Sequence, residues 1–509
     1  MLASATSATL RGIDGQRVAV EVHVGTGLPA FNVVGLPDTS CREARDRVRA
    51  AIQSSGFRWP PSSRITVNLA PSGVRKEGAG LDLAIALGIL AAGSDALEPA
   101  QLAGHGFLGE LGLDGSLRGV PGMLSLAEAL GEPVVVVGPA VAHEASLGCD
   151  SVVRGCRSLG EVVAGLTGLA PWPDLPDPAE PAPAAVPPDL ADVAGHPFAR
   201  HALEVAAAGG HNLLLVGPPG TGKSMLARRL PGLLPDLGAA TSLLTSRVHS
   251  VAGLRLPPNG LVATPPFRAP HHTASVPALI GGGSGGRFRP GEISCAHGGV
   301  LFLDELGEFS PRALEAMRQP IEEGLVRISR AHGTVTFPAS FVLVSAMNPC
   351  PCGLFGSMEP CRCTDAARLR YARRLSGPLL DRIDVRVQVT RPSAAQLLEG
   401  TPGESTESVR RRVLAVRALA RERGVPANAR LTADQLDEVA PLDAGAASLL
   451  HAALSDGRLS ARGLARVRLV ARTVADLAGA EVLDERSVAT ALALRSRPAL
   501  LDLGEVHHV

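Results

Sequence analysis

Residues 213–224 read LLLVGPPGTGKS, and the helical stretch MLARRL follows at 225–230. Four consecutive apolar residues predict a buried strand, and the glycines after them predict a tight turn into a helix. In this strand–turn–helix setting, the pattern G-x-x-x-x-G-K-[ST] is typical of a phosphate-binding loop, because backbone N–H groups and the helix N-terminus point at the anion. Further short apolar strands alternate with helical stretches through residue 392, so the stretch predicts an α/β core with a parallel sheet.

This loop is predicted to bind ATP together with Mg²⁺. Lys223 is expected to reach the β- and γ-phosphates, and the Ser224 hydroxyl is expected to ligate the metal. The chain has only two lysines among 49 basic residues, Lys76 and Lys223, which directs attention to chemistry that arginine cannot supply. The predicted nucleotide-binding residues are Gly217, Pro218, Pro219, Gly220, Thr221, Gly222, Lys223, Ser224 and Asp304.

A second apolar strand, Val300–Leu303, ends in the acidic pair Asp304 and Glu305. After a phosphate-binding loop, the first acid is expected to hold Mg²⁺ and the second to polarise the attacking water. The structural alternative is that two acids cap a helix N-terminus. Asn348 comes shortly after the apolar run Phe341–Val344 and is a candidate for orienting the same water, although Asn-Pro is also a plain turn signal.

Several long segments together resemble one family of ATPases. They are GPPGTGKS at 217–224, PHHTASVPALIGGG at 270–283, RPGEISCAHGGVLFLDE at 289–305, SAMNPCPCG at 345–353 and SGPLLDRID at 376–384. They resemble the YifB/ComM family of magnesium-chelatase-like AAA+ ATPases, and the resemblance covers nearly the whole chain. It implies a ring, usually a hexamer, that hydrolyses ATP between subunits, with Arg382 as the finger acting across the interface and Arg462 as the sensor on the lid. The expected catalytic residues are Glu305, Asn348, Arg382 and Arg462.

Two functions are compatible with this resemblance. Members similar to ComM resemble branch-migration helicases, which implies an ATP-driven motor on single-stranded or branched DNA in natural transformation and homologous recombination. The alternative is a remodelling ATPase, related to the magnesium chelatase subunit, that acts on a protein or metal-insertion partner. The basic balance of residues 193–509 favours the motor, as does the fused N-terminal domain, which is similar to Lon-type proteases, with no metal-binding adhesion module after it.

The N-terminal region resembles a Lon-type protease domain but departs from its catalytic pattern. Gly80 falls where the nucleophilic serine is expected, and Leu124 falls by alignment where the general-base lysine is expected. A serine–lysine pair needs both an activated hydroxyl and an amine within reach. The region is therefore predicted to be a binding or assembly scaffold and not a protease. Lys76 is predicted to be an ordinary exposed lysine, with a loop contact or anion binding as the alternative.

Charge and proline content divide the chain. Basic and acidic residues number 49 each overall, but residues 193–509 hold 36 basic and 28 acidic side chains, so an anionic partner is expected there. Residues 169–192 hold eight prolines, five acids and no base, which predicts an extended, solvated linker. The predicted domains are a Lon-protease-like α+β domain at 1–168, this linker, an AAA+ α/β core at 193–393 and an all-helical lid at 394–509.

Two segments of the core are candidates for DNA contact. One is the glycine-rich loop and basic residues at 281–289, and the other is 327–335, which predicts a β-hairpin. Insertions at these places point into the central pore of related ATPases, so basic tips would contact phosphates without reading sequence. The alternative is that the arginines pair with local acids. The basic residues concerned are Arg287, Arg289, Arg330 and His332.

Four of the eight cysteines fall within fourteen residues, at Cys350, Cys352, Cys361 and Cys363. Four thiolates can close a tetrahedral structural Zn²⁺ site, but paired ligands in such sites usually lie about two to four residues apart, and here one residue separates each pair. Free thiols or a labile disulfide are the alternatives. The low cysteine content predicts a reduced, cytoplasmic setting, and the sequence has no apolar run typical of a membrane span or a secretory signal.

Overall fold

The computed structural model describes residues 1–73, 75–76, 78–175, 187–258, 260–283, 288–330, 333–356, 359–375, 377–398 and 403–495.

The N-terminal region forms a seven-stranded sheet in the order β3-β4-β2-β1-β5-β8-β9. The strands of this region are β1 (Leu2–Arg11), β2 (Asp14–Thr26), β3 (Ala30–Val34), β4 (Ser63–Ala70), β5 (His105–Phe107), β6 (Glu110–Leu111), β7 (Leu117–Arg118), β8 (Val134–Val137) and β9 (Val152–Gly155). Its helices are α1 (Thr39–Ser54), α2 (Asp82–Gly93), α3 (Met123–Leu130), α4 (Ala142–Gly148) and α5 (Leu159–Thr167).

Hydrophobic patterning explains how these elements pack. Alternate residues of β2, such as Val18 and Val22, are fully buried, which is the period-two pattern of a strand with one face in the core. Helix α2 is buried along its length up to Ala92 because its sequence, DLAIALGILAAG, is apolar on every side. Both α2 and α3 pack against β1 and β2. The apolar content of these segments thus builds a core that belongs to the N-terminal region.

The central region is built on a five-stranded parallel sheet in the order β11-β14-β17-β10-β18. The strands are β10 (Leu213–Val216), β11 (Phe267–Arg268), β12 (Gly281–Gly282), β13 (Arg289–Pro290), β14 (Val300–Leu303), β15 (Leu325–Arg330), β16 (Gly333–Pro338), β17 (Val342–Met347) and β18 (Val385–Gln388). The helices are α6 (Pro197–Gly209), α7 (Lys223–Ala227), α8 (Leu230–Leu233), α9 (Ala239–Ala252), α10 (Val276–Ile280), α11 (Glu292–Cys295), α12 (Pro311–Ala316), α13 (Arg318–Glu323), α14 (Asp365–Ala372), α15 (Gly377–Leu380) and α16 (Ala394–Leu398). Strands β10, β14 and β17 are buried throughout, as expected for parallel strands covered on both faces.

The C-terminal region is helical. Its helices are α17 (Thr406–Glu422), α18 (Ala433–Val439), α19 (Ala444–Ser455), α20 (Ala461–Leu477) and α21 (Glu485–Ala493). Helices α17 and α20 pack against α6, and the buried Arg417 guanidinium donates to the Ala207 carbonyl at 2.7 and 2.9 Å. The mixed α/β core with its parallel sheet, followed by a helical C-terminal region, confirms the predicted fold class.

The N-terminal region packs directly against the core. The Gly122 N–H donates to the Ser250 carbonyl at 3.0 Å, and Arg247 forms an ion pair with Glu128. Ile13, at the turn between β1 and β2, joins an apolar cluster of the core that includes residues of the β15–β16 hairpin. The contact surface on the core therefore includes helix α9 and this hairpin.

The segment predicted to be a solvated linker packs on the domains at both of its described ends. Leu190 is buried in the core, and the Arg229 guanidinium donates to the Asp189 carbonyl at 2.7 Å. At the other end, the Trp172 ring lies 6.0 Å from the His105 ring. The prediction of a solvated linker is therefore wrong at these ends, because Leu190 is buried and Trp172 is partly buried against the N-terminal region.

Candidate nucleotide-binding site

A cleft of about 250 Å³ lies at the carboxyl ends of β10, β14 and β17. These strands are neighbours in the sheet although they are far apart in sequence, and ligands of open α/β sheets bind at such an edge. The residues that line the cleft are Pro219, Gly220, Thr221, Gly222, Lys223, Ser224, Met225, Asp304, Glu305, Met347 and Asn348. The fold thus brings together the loop, the acidic pair and the asparagine that the sequence analysis singled out separately.

The Lys223 ammonium is held at the mouth of the loop. Its Nζ donates to the carbonyl oxygens of Gly217 at 2.7 Å and Pro218 at 2.8 Å, and it lies 3.3 Å from Asn348 Oδ1. Burial lowers the pKa of Lys223, and the charge of Asp304 opposes that shift. The hydrogen-bond acceptors of the ammonium are neutral, so none of them neutralises its charge, and the ammonium can attract an anion into the cleft.

Ser224 and Asp304 form the second polar contact of the cleft. The Ser224 hydroxyl donates to Asp304 Oδ2 at 2.7 Å, and Asp304 Oδ1 accepts the Glu305 N–H at 2.9 Å. A hydroxyl and a carboxylate are the hard oxygen ligands that Mg²⁺ takes alongside nucleotide phosphates. The donor set therefore fits the metal that the sequence analysis assigned to these two side chains.

Glu305 is oriented by a residue that the sequence analysis did not assign. Its backbone has φ of 51°, a left-handed conformation that is uncommon outside glycine and often marks a functional site. Its Oε2 lies 3.0 Å from His272 Nδ1, which follows the short strand β11. Because β11 is the sheet neighbour of β14, its C-terminal loop lies beside Glu305. The His-His pair within PHHT was the only sequence signal for this contact.

Asn348 follows the last residue of β17 and lies between two elements. Its side-chain oxygen accepts from the Lys223 ammonium, and its backbone N–H donates to the Tyr371 hydroxyl of α14. Tyr371 is itself buried against Gly307, which comes shortly after the acidic pair. The asparagine is thereby fixed relative to both the loop and the acidic segment.

The two predicted arginines lie elsewhere. Arg382 and Arg462 are not among the described residues that line the cleft; instead both form ion pairs with Glu322 at the end of α13. Arg382 is buried, with a 2.5 Å contact to Glu322 Oε2 and a hydrogen bond to the Pro378 carbonyl. Partial burial alone would raise the pKa of Glu322, but the two guanidinium groups outweigh it and lower that pKa. The Glu322 carboxylate thus holds both guanidinium groups close together.

A separate cavity of about 140 Å³ lies between the N-terminal region and the core. Its lining includes Gly80, Leu126 and Arg289, and among the described residues that line it there is no serine and no lysine. Leu124 is fully buried outside this lining. Lys76 is also fully buried, so the predicted exposed lysine is wrong: its ammonium donates to the Pro71 carbonyl.

The candidate DNA-contacting segments differ in their surroundings. The predicted hairpin is present as β15–β16, with Arg327 and Arg330 on its exposed positions, and Arg327 pairs with Glu323 at 3.4 Å. For Arg330, no ion pair is found with any described residue. The inward side chains are Val326, Ile328, Val335 and Phe337. Arg289 is exposed and lines the cavity against the N-terminal region, while Arg287 and His332 lie outside the described residues.

The four clustered cysteines, Cys350, Cys352, Cys361 and Cys363, come together. Their sulfur atoms all lie within 4.8 Å of one another, shortly after Asn348 in the chain.

In the described part of the chain, no helix is both long and apolar enough to cross a bilayer.

Comparison with known proteins assigns the whole chain to one group. The family model described as "Magnesium chelatase, subunit ChlI" matches residues 189–397, "Subunit ChlI of Mg-chelatase" matches 20–135, and the C-terminal model of the same subunit matches 403–495. The chain is 42% identical to competence protein ComM of Haemophilus influenzae over 507 residues, 98% of each chain. It is 42% identical to YifB of Escherichia coli K12 over 497 residues, 96% of each chain, and 45% identical to an uncharacterised Mycobacterium tuberculosis protein over 512 residues, 98% of this chain and 99% of the relative.

Proposed function

The chain belongs to the YifB/ComM family of magnesium-chelatase-like AAA+ ATPases, and on that premise we propose that it is a ring-forming motor that couples ATP hydrolysis to movement on DNA. Its proposed role is branch migration during homologous recombination or natural transformation. The observation that carries the DNA assignment is the outward face of the β15–β16 hairpin, where Arg330 is exposed and forms no ion pair with the residues that the structure describes. The Haemophilus relative is named a competence protein, which agrees with such a role.

Hydrolysis follows from the contacts in the cleft. Lys223 meets the negative charge of the phosphates, and the adjacent loop N–H groups orient them. Glu305 polarises the attacking water, while His272 contacts and orients its carboxylate and Asn348, which lines the same cleft, orients the water. Mg²⁺ held by Ser224 and Asp304 would neutralise phosphate charge when bound.

The position of the arginines supports the proposed ring. Because Arg382 and Arg462 are held by Glu322 and lie outside the cleft of their own subunit, we assign them to the cleft of a neighbouring subunit. A guanidinium supplied by a neighbour stabilises the charge on the γ-phosphate in the transition state. The site is then complete only in an assembly of several copies, for which we propose a hexamer.

The excess of basic residues in the C-terminal half does not translate into a broad basic surface, because part of it is used in ion pairs within the lid. Many lid arginines are used internally: Arg423 and Arg472 pair with Asp476, and Arg468 pairs with Asp437. Contact with DNA is therefore assigned to the hairpin, where Arg330 and neighbouring hydroxyl groups face outward. Contacts of this type bind the phosphate backbone and do not distinguish sequences.

The test is the ATPase rate of the full chain with single-stranded, duplex and four-way-junction DNA. We expect DNA to stimulate hydrolysis and Arg330→Ala to reduce stimulation and unwinding while basal hydrolysis is retained. Loss of one phosphate contact should reduce the salt slope of binding by about 1, equally across sequences. The matched control is Arg486→Ala, which removes an exposed arginine from the lid.

Failure of this experiment has a defined meaning. If no DNA changes the ATPase rate and none binds at low salt, the motor is excluded. The chain would then be an ATPase that remodels a protein or metal-insertion partner. If DNA stimulates hydrolysis equally in Arg330→Ala and wild type, the motor stands and the hairpin is removed from its DNA path.

A further inference from the structure

Four cysteine sulfurs converge at one point after strand β17. The Cys350 sulfur lies 3.4 Å from that of Cys352 and 3.7 Å from that of Cys361, and the latter two are 3.6 Å apart. Together with Cys363, all four lie within 4.8 Å of one another. We propose that these four side chains bind one structural Zn²⁺ ion that joins the water-orienting strand to the phosphate-binding loop. This inference depends on neither the DNA assignment nor the ring.

The spacing of the sulfurs matches a single tetrahedral ion. Four sulfurs at about 2.3 Å from a common zinc lie roughly 3.8 Å from each other. A disulfide would join two of the sulfurs and give no reason for the other two to converge. An iron–sulfur cluster spreads its four cysteine sulfurs over two or four iron atoms and so requires a wider set. Four protein ligands leave no open position, which makes the site structural rather than catalytic.

Backbone donors point at the sulfurs as they do around metal-bound thiolates. The Phe355 N–H donates to the Cys350 sulfur at 3.4 Å, and the N–H groups of Leu354 and Arg362 are directed at the Cys352 sulfur. Gly353 has φ of 79°, so the chain turns tightly between Cys352 and Leu354. Such donors orient the ligands and stabilise their negative charge. Although only one residue separates the members of each pair, the fold brings all four sulfurs together.

The cysteine loop lies against the nucleotide-binding machinery. A side-chain carbon built on Gly353 would lie 2.5 Å from the Pro219 ring of the phosphate-binding loop, so the two backbones are in close contact. On its other side, the Arg368 guanidinium of α14 lies 4.5 Å from the centre of the Phe355 ring. The same helix carries Tyr371, which contacts Asn348. An ion at this position therefore fixes the loop between Asn348 and the helix that leads to Arg382.

The first experiment is elemental analysis of the full-length protein, purified without chelator and with any affinity tag removed. We expect about one zinc per chain in the wild type. The double variant Cys361→Ser/Cys363→Ser should lose it, since two of four ligands are gone. The matched control is Cys149→Ser, which removes a partly buried cysteine of the N-terminal region and should retain the full zinc content.

A second measurement covers the case in which the double variant does not fold. Wild-type protein is stripped with a chelator under reducing conditions and titrated with Co²⁺. We expect thiolate-to-cobalt charge-transfer absorption with the visible bands of a tetrahedral centre, and their disappearance when Zn²⁺ is added. Folded protein that contains no zinc and develops no cobalt bands overturns the site, and iron at the four cysteines overturns the assignment to zinc. Neither result depends on ATPase activity or DNA binding, so this inference fails independently of the proposed function.

Discussion

The two lysines of the chain occupy contrasting sites. Lys223 lies in a glycine loop that opens on a cleft, and a hydroxyl, two carboxylates and an amide line the same cleft. Lys76 lies in the N-terminal region, fully buried, with its ammonium on the Pro71 carbonyl, and the expected nucleophile position is Gly80. Burial lowers the pKa of both. The comparison teaches that a lowered pKa does not by itself distinguish the two lysines; polar groups and a ligand space lie beside Lys223 in its cleft.

The largest effect is expected for Arg382, which we assign to the Lys223 cleft of a neighbouring subunit. Arg382→Ala should bind ATP normally but hydrolyse it about 10³–10⁵-fold more slowly, because the transition-state charge is no longer met from the neighbour. Nucleotide binding and single-turnover hydrolysis measure the two parts separately. Arg373→Ala, an exposed arginine nearby, is the control.

A mixing experiment sharpens this prediction. Glu305→Gln and Arg382→Ala are each expected to be inactive alone and to regain hydrolysis when mixed, since a mixed interface can join an intact Glu305 with an intact Arg382. Normal hydrolysis by Arg382→Ala alone would show that the arginine is not the finger.

The next largest effect concerns the lysine itself. Lys223→Arg should reduce kcat by about 10²–10³-fold, as expected for loss of one preorganised charge, because a guanidinium cannot occupy the compact position between the Gly217 and Pro218 carbonyls. Steady-state ATPase assays measure this loss. The matched change Lys76→Arg should leave kcat unchanged in the folded fraction. Equal losses in both variants would contradict the contrast between the two sites.

A smaller effect is expected from the residue that orients Glu305. His272→Ala should lower kcat by about 10–100-fold, the usual cost of losing an orienting partner, with little change in KM. The neighbouring His271→Ala is the control because His271 contacts His272 but not Glu305 among the contacts of the described residues. Partial recovery in His272→Gln, which can still donate a hydrogen bond, would support orientation. A change confined to KM would refute it.

The smallest effect is expected on stability at Lys76. In the folded protein the Lys76 ammonium is removed from water, and burial lowers its pKa, so the folded state carries a desolvation cost for this charge. Lys76→Met should change the free energy of unfolding by no more than about 1–2 kcal/mol, without loss of stability at neutral pH. Because the folded pKa is below the ordinary 10.5, the unfolded chain binds more protons between the two values. Wild-type stability should therefore rise relative to the variant as pH approaches 10.5.

Urea unfolding of both proteins at neutral and alkaline pH measures this difference. A variant that is less stable than wild type by several kcal/mol at neutral pH would show that the contact with the Pro71 carbonyl outweighs the buried charge.

Local patterns account for the parts of the site that the sequence predicted. The run LLLV before GPPGTGKS and the run VLFL before Asp304 each specify a buried strand with polar groups at its end. Carboxyl ends of parallel strands meet at one edge, so the phosphate-binding loop, the acidic pair and Asn348 could be placed together without a structure. The same local information predicted the hairpin around Arg330, because its apolar residues alternate.

Contacts between distant segments were decided by tertiary packing. Nothing near Arg382 or Arg462 in sequence identifies Glu322 as their shared partner, and nothing near Glu305 identifies His272. The burial of Lys76 and Leu190 likewise depends on what packs over them, not on their neighbours in the chain. Sequence alone predicted which residues line the cleft, since strands and glycine turns form from local preferences. Only the folded chain decided which charged groups meet, because ion pairs and burial depend on the packing of elements that are far apart in sequence.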